Sequence, residues 1–467
     1  MMKKLALLML IPMTLTLQGA FVMKKGQPLE KLEGTVKETQ TVAPTQTSTN
    51  TPNTNRPTGW NENINTFIHP GIYHTKEELS LVRNIINTAK YKKVKDSYLQ
   101  NSEVNPAANF TCGSYNAGDT KICDNWYKDA KTAEYWALRA YTEKNTKYAT
   151  KSVEAIDRWA KVFNNVSGSN RPLVASWQLY QLSRAVEILI HNDYGFNYPK
   201  DKKLRMEKYL DKIYNITQKK VNGVFENDIA NSQIGGNWVS ATLAAKQSYW
   251  ILKHGLTSEK KKKDLALKQF KYWSSFNDSM VKSYIYMNSD GALPIIFNSQ
   301  GIKKSIPKKK IYSEELWRLS DKPDCFKQDG IGGEYWRDMW HMSMGLDYIG
   351  NMFEMSYIQG YKDYYSKHQK RLVSGLEVVY ASLLKKHKGN DGYYLKKTCT
   401  NTASSWNTPK ITASSKRTES AHSASFYQKA KSKGWEIPLM TKYNNIYMQT
   451  AEKGNAPYNY DYIFKNN

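Results

Sequence analysis

The sequence predicts an all-α fold: an incomplete (α/α) toroid, or barrel, of antiparallel helical hairpins that forms a single large domain. Apolar residues recur at spacings of three and four along most of the chain, as they do in amphipathic helices. Alternation typical of strands is nearly absent from the first half. Short connections join successive helical segments, which favours antiparallel pairs of helices. The sequence has no repeat of fixed length, so a solenoid of near-identical units is not indicated.

The first 59 residues are predicted to precede this domain. Residues 1–20 have a basic start, an apolar stretch and small residues near a plausible cleavage point, the pattern of a secretory signal peptide. Residues 21–59 are rich in Thr, Pro and Asn, which predicts a disordered linker. The helical domain is then expected at 60–467, in a protein that is secreted or periplasmic.

The helices of this domain follow one another in the sequence. Thr75 and Glu78 have the spacing of a capping box, which predicts a helix from there to about Gln100. Two glycines precede Asn237, and a helix is predicted to continue through Trp250. The other helices are predicted at 126–142, 146–163, 174–191, 202–219, 258–282, 334–360, 361–386 and about 443–452.

The segment 334–360 combines charged residues with a long apolar body. Glu334, Arg337, Asp338 and His341 are three or four residues apart, so they can share one face of a helix. The rest of the segment is apolar around too wide an arc for a surface helix, which predicts burial. The apolar positions are Trp340, Met344, Tyr348, Ile349, Met352, Phe353 and Met355.

The composition favours an acidic partner outside the cell. The chain has 68 Lys and Arg against 42 Asp and Glu, a formal net charge of +26, and it contains 33 Tyr and 13 Trp. Such an excess of positive charge attracts polyanions, although it is also compatible with a solvated basic surface. Secretion weakens the case for nucleic acid, and no nucleic-acid motif accompanies the charge.

Four cysteines are compatible with disulfides in an exported protein. Cys112 and Cys123 would close a short polar loop and are the favoured pair, with Cys325 and Cys399 as the second. Unpaired thiols are the alternative. A zinc site is not expected, because the spacings Cys-x-x-Cys and His-x-x-x-His are absent.

Three phrases of the sequence are distinctive: HPGIYHT (69–75), GGNW (235–238) and the E-x-x-R-D-x-x-H phrase that begins at Glu334, with its continuation to about Tyr365. Together they resemble the alginate-lyase-like polysaccharide lyases, which have an α/α toroid fold, and ASWQLYQLSRAVEIL (175–189) is also similar to that family. The resemblance spans about 60–438. It implies β-elimination at the 4-O linkage of a polyuronate such as alginate or glucuronan, without a cofactor or an obligatory metal.

The same resemblance implies residue roles. Asn237, Arg337 and His341 match the positions that neutralise the uronate carboxylate, and a tyrosine acts as base and acid. Tyr427, in SFYQKAKSKGWEIP, is the nearest match to that tyrosine, but the histidine of the family phrase is missing there unless His422 replaces it. The residues expected near the substrate are Trp238, Glu334, Tyr335 and His422.

These residue types suit the chemistry. The C5 proton of a uronate is weakly acidic because the adjacent carboxylate is already negative, so hydrogen-bond donors must neutralise that carboxylate first. An amide, a guanidinium and an imidazole can do so. Each has a structural alternative: Asn237 as a helix cap, Arg337 in an ion pair, His341 in the core. Tyr286 and Tyr335 are other candidates for the base.

Two other functions remain open at this stage. A glycoside hydrolase needs two carboxylates, for which Glu187, Glu334, Asp338 and Glu419 are candidates. A non-catalytic protein could bind acidic glycans through its basic surface alone. In each case the expected partner is an acidic polysaccharide or glycan, with no nucleic acid and no membrane span, and a monomer is favoured.

Overall fold

The structure, a computed structural model, describes part of the chain. Helices account for 75% of the described region. The described residues are 65–85, 106, 108–113, 120–168, 170–217, 236–285, 287, 329–330, 339–361, 363–384 and 434. All of them belong to one compact unit, 57–467. This region is mostly helical, as the prediction of an all-α fold requires.

Ten helices and two strands lie within the described residues. They are α1 (Lys76–Ile85), β1 (Phe110–Gly113), α2 (Thr120–Glu143), α3 (Thr146–Val162), β2 (Phe163–Ser167), α4 (Arg171–Ile190), α5 (Lys200–Thr217), α6 (Asn237–Gly255), α7 (Lys260–Ser274), α8 (Asn277–Tyr284), α9 (Met339–Ile358) and α10 (Asp363–Leu384).

Helices α2, α4, α6 and α9 pack side by side in that order and run in the same direction; we call them the parallel row. Near the starts of α4 and α6, the hydroxyls of Ser176 and Thr242 are 3.1 Å apart. Near their ends, Glu187 and His254 both contact His69. Contacts that match start to start and end to end require parallel axes.

The two outer helices of the row, α2 and α9, run in the same direction as α4 and α6. Arg184 of α4 pairs with Glu134 of α2 at 2.6 Å, and each lies about fourteen residues into its helix. Arg83 of α1 bonds both to the Tyr141 carbonyl oxygen near the end of α2 and to Asp193 just after α4. Gln359, just after α9, bonds to the backbone on both sides of His69, the residue that contacts the ends of α4 and α6. All four helices therefore begin at one end of the row and finish at the other.

Each helix of the row is followed by a helix that returns antiparallel to it. On α3, Ser152 donates to the Ala133 carbonyl oxygen of α2 at 2.6 Å, and Trp159 donates to Asp129, earlier in α2, at 2.8 Å. In the same way α5 packs on α4, α7 on α6 and α10 on α9. The described helices thus form successive antiparallel hairpins, the connectivity predicted from the short links.

Burial matches the apolar sequence of the row. Nearly every described side chain of α4 and α6 is buried, because each helix is covered by row neighbours and by its returning partner. In α9 the predicted apolar body is buried as well. Its buried members are Met344, Tyr348, Ile349, Met352, Phe353 and Met355.

Two features differ from the sequence prediction. A short parallel pair, β1 and β2, joins Phe110–Gly113 to Phe163–Ser167, where a helix had been predicted as far as Phe163. The helix predicted at 258–282 is two helices, interrupted at Ser275 and Phe276. The Ser275 hydroxyl donates to the Tyr272 carbonyl oxygen at 2.6 Å, a local bond that competes with helical pairing.

Other local predictions are confirmed. Thr75 and Glu78 form the capping box, each accepting from the other's backbone N–H at 3.2 Å. Cys112 and Cys123 form a disulfide. Cys325 and Cys399 lie outside the described residues. Among the described helices, none combines the length and apolar character needed to cross a membrane.

Candidate functional site

The start of the parallel row collects residues from distant parts of the sequence. Asn237 is the first residue of α6, and His341 is the third residue of α9, the adjacent parallel helix. Arg171 is the first residue of α4, on the other side of α6. Backbone N–H groups at helix starts have no partner within the helix, so this end also favours anionic groups.

Asn237 is fully buried although it begins its helix. The structural alternative for Asn237, a helix cap, is not what the structure has: Gly236 is the cap, in an extended conformation, and its carbonyl oxygen accepts from Val239 and Ser240. Among the described residues, no atom lies within 4 Å of the position that a Cβ atom of Gly236 would take.

Aromatic residues occupy the same end of the row. Trp238 follows Asn237 and is partly exposed, as is Trp177 of α4, whose ring meets that of Tyr127 of α2 edge to face at 6.4 Å. Trp238 was predicted to lie near a substrate, and its partial exposure allows that. Trp177 and Arg171 were not predicted as site residues.

Several predicted site residues cannot be located from the structure. Glu334, Tyr335, Arg337, Asp338, His422, Tyr427, Glu419 and Tyr286 lie outside the described residues. His341 is in α9, but its side chain is outside what is described. Only Asn237 and the backbone position of His341 are brought together among the four predicted catalytic residues.

At the opposite end of the row, the segment Phe67–Gly71 lies across the ends of α4, α6 and α9. The side chain of Gln359, just after α9, bonds to the backbone of Ile68 and Gly71. His69 bonds to Glu187 of α4 and to His254 of α6. This end is about 25 Å from Asn237, measured along α6.

Four ionisable side chains from three segments meet there; we call His69, Glu187, His191 and His254 the histidine cluster. The Nδ1 atom of His69 is 2.7 Å from Glu187 Oε1, and its Nε2 atom is 2.9 Å from His254 Nδ1. The ring of His191 stacks on that of His69 at 4.3 Å, with its Nε2 atom 3.7 Å from Glu187 Oε2.

Gly255 makes room for this cluster. A Cβ atom at Gly255 would come within 2.4 Å of His191 Nε2 and 3.1 Å of His69 Cε1. The side chain of Glu187 is 1% exposed, whereas those of His69 and His191 are 13% and 23% exposed. The cluster therefore has a buried carboxylate and two imidazoles that solvent can reach.

The charges of the cluster follow from this burial. Burial raises the pKa of Glu187, but His69 and His191 more than offset it, so that the pKa lies below its ordinary value. Burial lowers the pKa of His191, although Glu187 opposes the change. Burial and the nearby His69 lower the pKa of His254 to about 4. Near neutral pH, Glu187 is ionised while His191 and His254 are neutral.

The sequence contained only a partial signal for this cluster. Glu187 and His191 are one helical turn apart, a spacing that places two side chains on one face. His69 lies more than a hundred residues before that turn, and His254 lies about sixty residues after it. Only the fold brings these two histidines to Glu187 and His191. No protein-family model matches the sequence, and no curated protein is significantly similar to it.

Proposed function

We propose that this protein is a secreted polysaccharide lyase that cleaves an acidic, uronate-containing polysaccharide such as alginate or glucuronan by β-elimination. The observation that carries the proposal is the position of Asn237 and His341 in the first turns of two neighbouring parallel helices. These residues are 104 positions apart in the sequence, yet both match the carboxylate-neutralising positions of the lyases that the chain resembles.

The proposal includes the toroid arrangement. A row of parallel helices, each followed by an antiparallel partner, is what an arc of an (α/α) toroid consists of. In such an arc the starts of the row helices border one end of a central cleft. A polymer that enters the cleft from this end reaches the starts of α4, α6 and α9, where Arg171 and the buried Asn237 lie.

The electrostatics of this end suit a uronate. The carboxylate of the sugar would lie near helix starts, where partial positive charge stabilises anions. The Asn237 amide can donate two N–H groups, and Arg337 and His341 are proposed to complete the neutralisation. Arg171 offers a further guanidinium at the start of α4. The net charge of +26 raises the local concentration of a polyanion.

The reaction then proceeds through an enolate-like species. A tyrosine, for which Tyr427 is proposed, removes the C5 proton; the C4–O bond breaks as its electrons leave with the oxygen, and a double bond forms between C4 and C5. The same tyrosine, which now carries a proton, donates it to the leaving oxygen. Donors on the carboxylate stabilise the charge that develops there.

The test measures the ultraviolet absorbance of the unsaturated product when purified protein is mixed with alginate, glucuronan or a glycosaminoglycan. We expect absorbance to rise on at least one polymer. Asn237→Ala should lower kcat by roughly 10²-fold, the usual effect of removing one such donor. Lys260→Ala, which removes a charge from a side chain that is 92% exposed, is the control and should retain activity.

The outcomes separate the alternatives. Reducing ends that appear without unsaturated product would instead indicate a hydrolase. Binding that weakens with salt and produces no cleavage would indicate a non-catalytic glycan-binding protein. Equal activity in the Asn237→Ala protein and the Lys260→Ala protein would show that the start of the parallel row is not the site.

A further inference from the structure

We propose that His69, Glu187 and His191 bind a zinc(II) ion, which joins the segment Phe67–Gly71 to the end of α4. The ligand atoms of these three residues all lie within 4.8 Å of one another. Two imidazoles and a carboxylate are a ligand set that zinc uses in proteins, with a water molecule in the fourth position. The proposal is independent of the lyase function, because this site is at the opposite end of the row.

The geometry needs little change to accept the ion. Zinc bonds nitrogen and oxygen at about 2.0–2.2 Å, so tetrahedral neighbours are separated by about 3.3 Å. His69 Nδ1 and Glu187 Oε1 are now 2.7 Å apart, and His191 Nε2 and Glu187 Oε2 are 3.7 Å apart. The three ligand atoms as a set lie within 4.8 Å of one another, so reaching the tetrahedral spacing requires them to approach by at most about 1.5 Å, which side-chain rotation can supply.

Two polar atoms in the cluster are suited to such a ligand. Glu187 Oε2 and His191 Nε2 are buried and have no hydrogen-bond partner by geometry within the described part of the protein, although the Gly71 backbone N–H also stabilises the Glu187 carboxylate. A carboxylate oxygen and an imidazole nitrogen that face each other without a bond are costly to bury. A shared cation would satisfy both.

His254 has the role of an orienting partner. Metal-binding histidines usually donate their second ring N–H to a neighbouring acceptor, which fixes the ring. With zinc on Nδ1 of His69, the Nε2–H group donates to His254 Nδ1, which is 2.9 Å away. Glu187 supplies the negative charge, while Lys203 and Lys263 near His191 oppose a cation and set an upper limit on the affinity.

The space for the ion depends on Gly255. Because a Cβ atom there would come within 2.4 Å of His191 Nε2, alanine at this position would displace the imidazole without removing any ligand. The Gly255→Ala variant would still contain all three proposed ligand residues. It therefore tests the geometry of the site without changing which ligands are present.

The experiment uses untagged, full-length protein treated with EDTA and desalted. Zinc(II) is titrated in competition with a chromophoric chelator, metal content is measured by mass spectrometry, and cobalt(II) absorption reports the coordination geometry. We expect one ion per chain. His191→Ala, Glu187→Gln and Gly255→Ala should each weaken binding at least about tenfold, the usual scale for such changes.

The control is His368→Ala, which removes a histidine that is paired with Asp278 elsewhere in the structure. It should bind zinc as the wild type does. Circular dichroism verifies the fold of each variant; if Glu187→Gln unfolds, His191→Ala decides, because the His191 side chain is 23% exposed. Absence of stoichiometric binding to the folded wild type, or unchanged affinity in both His191→Ala and Gly255→Ala, would overturn the proposal.

Discussion

The side-chain amide of Gln359 holds the backbone at Gly71, 288 residues earlier: its Nε2 atom donates to the Gly71 carbonyl oxygen at 3.0 Å. The same nitrogen donates to the Ile68 carbonyl oxygen at 3.1 Å, and the amide oxygen accepts from the Ile68 N–H at 2.9 Å. Gln359 is fully buried. One side chain therefore satisfies three backbone groups of the segment that crosses the end of the parallel row.

We expect Gln359→Ala to destabilise the protein by roughly 2–4 kcal/mol, because three buried hydrogen bonds are lost and the backbone groups stay buried. Denaturant unfolding followed by circular dichroism measures the change. Gln369→Ala, at an exposed position of α10, is the matched control and should have almost no effect. Similar unfolding midpoints for the two variants would refute the role of Gln359.

Gly345 provides a second test of the packing. A Cβ atom there would lie 2.0 Å from the hydroxyl oxygen of Tyr284, which is buried and donates to the Met342 carbonyl oxygen at 3.0 Å. Gly345→Ala should therefore cost about 1–3 kcal/mol through overpacking. Gly236→Ala is the comparison: its Cβ would meet no atom of the described residues within 4 Å and its φ of −159° suits any residue, so only the weaker capping by alanine lowers stability there. The melting temperatures of the two variants should differ clearly.

The Cys112–Cys123 disulfide closes a short loop, with a sequence separation of 11. In the chain-entropy account, a loop of this size contributes about 3 kcal/mol by restricting the unfolded chain. The double variant Cys112→Ser, Cys123→Ser should lose about that much stability. Peptide mapping without reduction checks the bond directly; recovery of either cysteine as a free thiol in the native protein would contradict it.

The helices were predictable because their signals are local. The capping box at Thr75 and Glu78 and the wide apolar arc of α9 depend on residues within a few turns, and the structure confirms both. The β1–β2 pair was missed because its strands are four and five residues long and the pairing partners are about fifty residues apart. The break at Ser275 was missed because the surrounding apolar period continues through it.

In the candidate sites as well, residues with a local sequence signal were predicted and residues brought together by long-range packing were not. Asn237 was predicted from the phrase GGNW, but Arg171 was not, because only the parallel packing of α4 and α6 brings the two helix starts to one end. The histidine cluster depends on three segments, and the spacing of Glu187 and His191 alone does not distinguish a ligand pair from a helical ion pair. Such sites follow from the topology of the chain.

Asp278 allows a test by pH. This carboxylate joins α8 to α10: it accepts from His368 Nε2 at 2.7 Å and pairs with Lys367. Burial raises its pKa, but the bonds from His368 and Lys367 more than offset this and lower the pKa to about 2. The pKa is thus lower in the folded than in the unfolded protein, so the interaction stabilises the fold above about pH 4 and is lost as the pH falls toward 2.

Asp278→Asn should therefore lower stability near pH 7 by about 2 kcal/mol, and the difference from the wild type should shrink steadily below about pH 4. Unfolding curves at a series of pH values measure this. Asp264→Asn, at a side chain that is 61% exposed, is the control and should follow the wild type throughout. If the difference between Asp278→Asn and the wild type stayed constant from neutral to acidic pH, the carboxylate charge would not be the source of the stabilisation.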